Sequence, residues 1–347
     1  MSSLTVARIA LGCGNFGGIG SAPEFFGQGL GEDQALALMD AAWQVGITHF
    51  DTADAYGGGR SELAIGRWIR SRGVRPTLTT KTYNPMRAGD DQGLRPERIT
   101  RQLRSSLDRL GVDRVELYLA HEFDPDVPLA ESSGAFGQAR DRGLIGAYGV
   151  SNVTAAQLAA TLAAGQPRAV QNSHSLLDRG DAAGVIPLCA GRDVAYLAFG
   201  PLAGGWLTGK YRRGEPFPAG SRMTQRPEPY RGLVNEQTFG ALDRLAALAA
   251  ARGMSPGGLA LAWLLADPRV DQIVVGPGRP EHLAVVAEAL AHPLDGAERA
   301  AVLAAVAGES LVAGEGPVTG EGPVTGEGPV AGQGRMTDPE AGREAAQ

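Results

Sequence analysis

Residues 48–59 read THFDTADAYGGG: a short apolar run that stops on Asp51, then a loop carrying Tyr56 and three successive glycines. A brief apolar run bounded by turn residues reads as a buried strand. Working outward, runs of the same kind recur at 8–12, 77–81, 115–120, 145–150, 169–171, 194–198 and 272–275, which makes eight with 48–51. Between them the pattern turns helical. Leu36, Met39 and Trp43 fall at helical spacing, as do Ile99, Leu103, Leu107 and Leu110, with Gly46 and Gly111 placed as stops. Pro96, Pro256 and Pro280 suit first-turn positions. The alternation predicts an α/β architecture with parallel strands, and eight is the strand number of a (β/α)8 TIM barrel. An open doubly wound sheet alternates in the same way and stands as the second architecture.

The chain has 347 residues, 43% of them hydrophobic and 20% charged, enough for a large core. Its 32 basic and 38 acidic residues leave a net charge of -6, so no overall field favours nucleic acid or an anionic membrane. Cys13 and Cys189 lie far apart without metal-like spacing. No stretch approaches the roughly 20 apolar residues of a membrane span. The start, MSSLTVARIALGCG, has an apolar run too short for a signal peptide, and the expected compartment is cytoplasmic. From Gly314 the unit GEGPVT recurs at Gly320 and, as GEGPVA, at Gly326. One Val per unit buries too little to offset ordering entropy, for a hexapeptide parallel helix as for any other fold. The expected organisation is therefore a barrel over 1–308 and a disordered Gly/Pro-rich tail over 309–347.

Gly12, Gly14 and Gly17 in GCGNFG satisfy a dinucleotide-binding pattern after a strand. That motif needs a helix to begin at once, yet Gly18, Gly20, Ser21 and Pro23 follow, so the match reads as accidental. The informative residues stand at the C-terminal ends of strands, where a barrel carries its chemistry. Asp51 closes the second strand, Tyr56 lies in its loop, Lys81 closes the third and His121 follows the fourth. With strands about 4.8 Å apart, these four groups can meet. A nearby ammonium favours loss of a proton from a phenol whose ordinary pKa is about 10, before desolvation is set against it. Asp51 would hold Lys81 charged, His121 would orient a carbonyl oxygen, and Tyr56 would deliver the proton. Each residue also has a structural reading, as an ion pair at the barrel mouth, a loop aromatic or a turn residue. His49, His174, His282 and His292 show no ligand spacing, and no metal is expected.

On these residues, and on GAYGVSN, VQNSHSLLDR and GPLAGGWLTGKY in this order, the chain resembles the aldo-keto reductase superfamily over about residues 5 to 290. The wording around Pro201 to Tyr211 resembles the branch of aflatoxin-aldehyde reductases and potassium-channel beta subunits. The resemblance implies a (β/α)8 barrel that moves hydride between a nicotinamide dinucleotide and a carbonyl carbon without a Rossmann fold. It makes Tyr56 the proton donor, Lys81 and Asp51 its activating pair and His121 the substrate-orienting group. Ser151, Asn152 and Gln171 match positions that hold the nicotinamide carboxamide, and Gly14 and Asn15 match further cofactor contacts. Pro201, Leu202, Gly204, Gly205 and Lys210 match the loop over the pyrophosphate, with Gly276 and Arg279 at the adenosine end. Phe199 stands where the family usually stacks a Tyr on the nicotinamide. Val285 and Val286 occupy positions often filled by a Glu and an Asn, and His174 replaces a frequent Tyr. Lys210 and Arg279 would select NADPH over NADH through the 2′-phosphate. Phe16 and Phe123 are expected at the substrate mouth. The implied activity is NADPH-dependent reduction of an aldehyde or ketone. Alternatives are an NAD-linked dehydrogenase of sugars or secondary alcohols, or a cofactor-binding sensing or scaffold subunit.

Overall fold

A computed structural model describes residues 7–308. Its strands are β1 (Ile9–Gly12), β2 (His49–Asp51), β3 (Thr77–Thr82), β4 (Val115–Ala120), β5 (Ile145–Ser151), β6 (Ala169–Ser173), β7 (Ala195–Phe199) and β8 (Gln272–Val275). Each pairs in parallel with the next, and β1 pairs with β8 through Ile9 with Ile273 and Leu11 with Val275. The sheet is therefore a closed barrel of eight strands in chain order, and the open-sheet alternative is excluded. Every expected strand is present to within two residues at either end. The helices are α1 (Glu32–Gln44), α2 (Arg60–Arg72), α3 (Pro96–Leu110), α4 (Leu129–Asp141), α5 (Ala155–Ala164) and α6 (Val185–Ala190). Then come α7 (Arg222–Gln225), α8 (Glu236–Ala251), α9 (Pro256–Leu265), α10 (Ala284–Ala291) and α11 (Gly296–Ala307).

Period-two alternation divides each strand between two environments. In β4, Leu117 and Leu119 join Ala147, Ala169, Ala195 and Leu197 in a cluster inside the barrel. Tyr118 and Ala120 belong instead to the layer under the helices, with Phe50, Trp68 and Trp263. By the same alternation, β2 places Phe50 outside, 5.1 Å from the Trp68 ring of α2, and His49 and Asp51 inside. Deep in the barrel, His49 bonds Thr79 Oγ1 and Gln272 Nε2, both at 2.8 Å. Burial lowers the His49 pKa to about 4.

Local signals act largely as read. Pro96 and Pro256 open α3 and α9, and Ser255 caps α9 by accepting the Gly258 N–H at 3.0 Å. Gly111 ends α3 in the left-handed region, with φ of 68°. Pro280 opens a 3-10 turn, Pro280–Leu283, that leads into α10. After β1 the backbone forms turns and the isolated bridges Phe16 to Leu30 and Gly18 to Phe26, with no helix on the GCGNFG segment. Among the described residues no single helix is long and apolar enough to cross a membrane. The tail expected over 309–347 lies outside the described residues.

Candidate active site

The strand ends and the loop after β2 bring four side chains together. Asp51 pairs with Thr79 in the ladder, and Lys81, two residues on and on the same face, reaches back across it. Lys81 Nζ donates to Asp51 Oδ1, to Thr52 O at 2.9 Å and to Tyr56 Oη at 3.5 Å. Beyond Asp51 the chain stays on β3 through Thr52 N to Thr79 O (2.8 Å) and Asp54 N to Lys81 O (3.0 Å). It then turns through Gly57, Gly58 and Gly59 at φ of 59°, 66° and 91°. At Gly57 a Cβ would come 2.7 Å from Phe16 O, so this turn, which hangs Tyr56 over Lys81, admits no side chain. His121 is fixed by its N–H to Thr82 O (2.9 Å), and its ring meets Tyr56 edge-on at 5.4 Å between centroids.

The electrostatics correct one expectation. Burial raises the Tyr56 phenol above its ordinary value and outweighs the downward pull of Lys81. Burial works against the Lys81 charge, but Asp51 and Tyr56 more than restore it and its pKa stands above the usual value. Burial and Lys81 hold His121 well below the ordinary histidine value, so its ring is neutral at pH 7. Among the described residues its Nδ1 is buried without a partner. The site thus presents a fully protonated phenol, a charged amine and a neutral imidazole.

Around this group, Gly14 lies against the Tyr56 ring, where a Cβ would stand 3.5 Å away. Asn15 donates to Pro277 O at 3.0 Å, and its Oδ1 is buried without a partner among the described residues. Gln171 Nε2 crosses the barrel to donate to Asp51 Oδ2 at 2.7 Å, a bond that the expected carboxamide role did not foresee. Ser151 Oγ donates to Gln171 O at 2.6 Å. Asn152, in the left-handed region at φ of 56°, donates to His121 O (2.9 Å) and Glu122 Oε1 (3.1 Å). The amide oxygens of Asn152 and Gln171 accept no hydrogen bond among the described residues.

The loop after β7 begins at Pro201 and Leu202 beyond the half-buried Phe199. It forms a 3-10 segment, Ala203–Thr208, in which Gly204 and Gly205 have φ of 64° and 94°. The Tyr230 ring covers Gly204 and the Lys210 side chain covers Gly205. Partial burial lowers the Lys210 pKa, and the nearby charges of Arg222 and Arg279 lower it further. Among the described residues none of these three cations makes an ion pair. Gly276 leaves β8 exposed, with Gly12 O 3.9 Å from where a Cβ would stand.

Residues 8–306 match the model of the Aldo/keto reductase family. The chain belongs to that family. The aldo-keto reductase yakc of Schizosaccharomyces pombe, whose name carries NADP(+), is 30% identical over 71% of this aldo/keto reductase and 74% of its own length. A probable voltage-gated potassium channel subunit beta of Oryza sativa subsp. japonica is 30% identical over 72% of this chain and 80% of its own. A glycerol dehydrogenase of Gluconobacter oxydans superposes with a TM-score of 0.75 at 26% identity, covering 91% of this chain and 96% of that one. The channel-subunit relative lies in the branch that the 201–211 wording resembles.

Elsewhere this aldo/keto reductase departs from expectation. Phe16 is 0% exposed and belongs to the layer under the helices, so it does not line the mouth. Phe123 is half-buried and faces a small cavity of about 20 Å³ with Leu94, Phe136 and Val153. His174 is buried between Tyr196 and Trp263, each 5.9 Å away, a packing role under the helices. Val286 is buried in the core and Val285 packs against it. One residue of the cationic group escaped sequence reasoning. Arg222 has no local signature, because a single Arg in a long loop reads as a solvated charge.

Proposed function

We propose that this aldo/keto reductase reduces an aldehyde or ketone to the alcohol with NADPH, and that Tyr56 is the proton donor. The observation that carries the reading is the convergence of Asp51, Lys81, Tyr56 and His121 inside one end of the closed barrel. The donor set suits a nicotinamide dinucleotide. Asn152 and Gln171 keep amide oxygens free for carboxamide N–H groups, beside Ser151, Gly14 and Asn15. Phe199 offers an aromatic face, and the backbone from Pro201 to Gly205 a cradle. Lys210, Arg222 and Arg279, without an ion pair among the described residues, form a cationic group suited to phosphates, the 2′-phosphate included, with Gly276 on the same side. When bound, NADPH supplies hydride to the carbonyl carbon.

The chain's own part is the proton. A raised pKa keeps Tyr56 fully protonated at neutral pH, so every molecule is a loaded donor. As the carbonyl oxygen gains charge, Tyr56 Oη gives up its proton and becomes a phenolate 3.5 Å from the Lys81 ammonium. At an effective dielectric of 20 that proximity is worth about 5 kcal/mol, available only once the phenolate forms, which is where catalysis requires it. Asp51 keeps Lys81 charged, and Gln171 and Lys81 together hold Asp51. Neutral His121 places an imidazole nitrogen at the carbonyl oxygen beside Tyr56.

The test is oxidation of NADPH, against NADH, with a panel of activated aldehydes. Tyr56→Phe is expected to lose at least about 100-fold in kcat while cofactor still quenches tryptophan fluorescence. Equal turnover by Tyr56→Phe would remove the assignment. The likeness to a glycerol dehydrogenase favours a second reading, NAD-linked oxidation of an alcohol, with the Tyr56 phenolate as base; faster turnover with NAD and glycerol than with NADPH and aldehydes would select it. The channel-subunit likeness favours a third, a sensing or scaffold subunit, for which tight cofactor binding without turnover is the signature.

A further inference from the structure

Gln171 follows Ala169 by two residues on β6 and so shares its inward face. It is 2% exposed, and its ladder partner on β5 is Ser151. In the closed ring β6 stands opposite β2, and the Gln171 side chain spans the interior between them: Nε2 donates to Asp51 Oδ2 at 2.7 Å. The amide oxygen at the same end of the side chain, Oε1, accepts no hydrogen bond among the described residues.

This bond completes the coordination of the buried ion pair. Asp51 is 2% exposed and has two carboxylate oxygens; Lys81 Nζ donates to Oδ1 and Gln171 Nε2 to Oδ2. A buried carboxylate oxygen without a donor is costly, so Gln171 keeps the carboxylate in place as well as charged. Lys81 is as fully committed. Its three protons serve Asp51 Oδ1, Thr52 O at 2.9 Å and Tyr56 Oη at 3.5 Å. The contact to Tyr56 is the longest of the three and the most easily changed by a small movement of the ammonium. An unbroken line of polar contacts thus runs from the Gln171 amide through Asp51 and Lys81 to the phenol. Hydrogen bonds in series polarise one another, so a donor placed on Oε1 strengthens the bond from Nε2 to Asp51 and acts on the rest of the line.

Resting on the reading of this mouth as a nicotinamide site, we infer that Gln171 relays occupancy of that site to the proton donor: a cofactor amide N–H on Oε1 draws Nε2 onto Asp51 and so resets Lys81 beside Tyr56. Gln171 is a positioning residue, because it reaches the phenol only through Asp51 and Lys81. Asn152, the other amide set aside for the cofactor, does not share the role. Its Nδ2 donates to His121 O and Glu122 Oε1, neither of which belongs to the line.

The chain has two lysines, Lys81 and Lys210. Labelling lysine with 13C at Cε therefore gives two NMR signals, one within the line and one at the phosphate end, and Lys210→Arg assigns them. NADP+ is compared with its acetylpyridine analogue, in which a methyl group replaces the amide NH2 and the N–H donor is lost. Both nucleotides are expected to move the Lys210 signal alike. NADP+ should also move the Lys81 signal, and the analogue should move it at most about half as far. In Gln171→Met the difference between the nucleotides at Lys81 should vanish while Lys210 still responds. Gln171→Asn, a methylene too short to reach Asp51, takes its place if the Met variant does not fold. Equal Lys81 shifts from the two nucleotides in the parent, or a difference that survives the substitution, overturn the inference and leave the reductase reading standing. A Lys210 signal that responds to neither nucleotide overturns both.

Discussion

Two residues before Tyr56, Asp54 is 0% exposed; Thr82 Oγ1 donates to its Oδ2 at 2.7 Å, and its Oδ1 has no partner among the described residues. Glu62, equally buried, is satisfied by Arg109 Nε at 2.8 Å and by Thr80 Oγ1 at 2.5 Å. Burial and the Glu62 charge raise the Asp54 pKa to about 7, against an unfolded value of about 3.9. Between those values the folded chain holds a proton the unfolded chain has lost, so the Asp54 contribution to stability falls as pH rises from about 4 to about 7. Asp54→Asn is expected to remove that loss. Its stability relative to the parent, from urea unfolding, should improve across this window by about 1–4 kcal/mol, and parallel pH curves for the two proteins would contradict the assignment. Neither the protonation of Asp54 nor the raised pKa of Tyr56 was legible in the sequence, since each depends on how much water the fold removes. The four residues of the site were legible, because strand ends were.

At the scale of elements, α2 and α3 meet at Gly66, where a Cβ would overlap Arg109 O and stand 2.9 Å from Leu110 O. Trp68 and Ile65 of α2 are buried beside it, as are Leu103, Leu107 and Leu110 of α3. Helix propensity taken alone favours Ala at this position by about 1 kcal/mol. The contact dictates the opposite sign: Gly66→Ala is expected to cost about 1–3 kcal/mol by separating the helices, read as a lower urea midpoint with unchanged slope. A higher midpoint would show that the helices yield without cost. Periodicity in α3 identified the buried face, but no local pattern shows that a neighbouring backbone touches α2 at one glycine.

For the molecule as a whole, closure of the ring is secured at the β1–β8 seam. Arg8 reaches from the start of β1 to Leu265 O at 2.6 Å, and also bonds Val270 O. The last described helix is held in place as well. Val302 and Val306 of α11 are buried, and Arg244 of α8 donates to Ala305 O and Val306 O, each at 2.8 Å. We propose that the folded unit ends at Gly308. A chain truncated after 308 is expected to melt within about 2 °C of the full chain and to keep its turnover. One truncated after 295, which loses the two buried valines, should lose about 3 kcal/mol or more. A large drop in melting temperature for the first truncation would place residues 309–347 within the stable unit.

The sequence by itself determined the order and type of the elements and which residues stand at the strand ends, because alternation, glycine stops and proline starts act within a few residues. From these came eight strands, the number of a barrel, and the expectation that Asp51, Tyr56, Lys81 and His121 meet at its mouth. Only the tertiary structure decided closure between β1 and β8, the burial of Phe16, the span of Gln171 to Asp51 and the grouping of Arg222 with Lys210 and Arg279. Those outcomes join residues from distant parts of the chain, and the forces that set them, desolvation and charge proximity, depend on distances that exist only after folding.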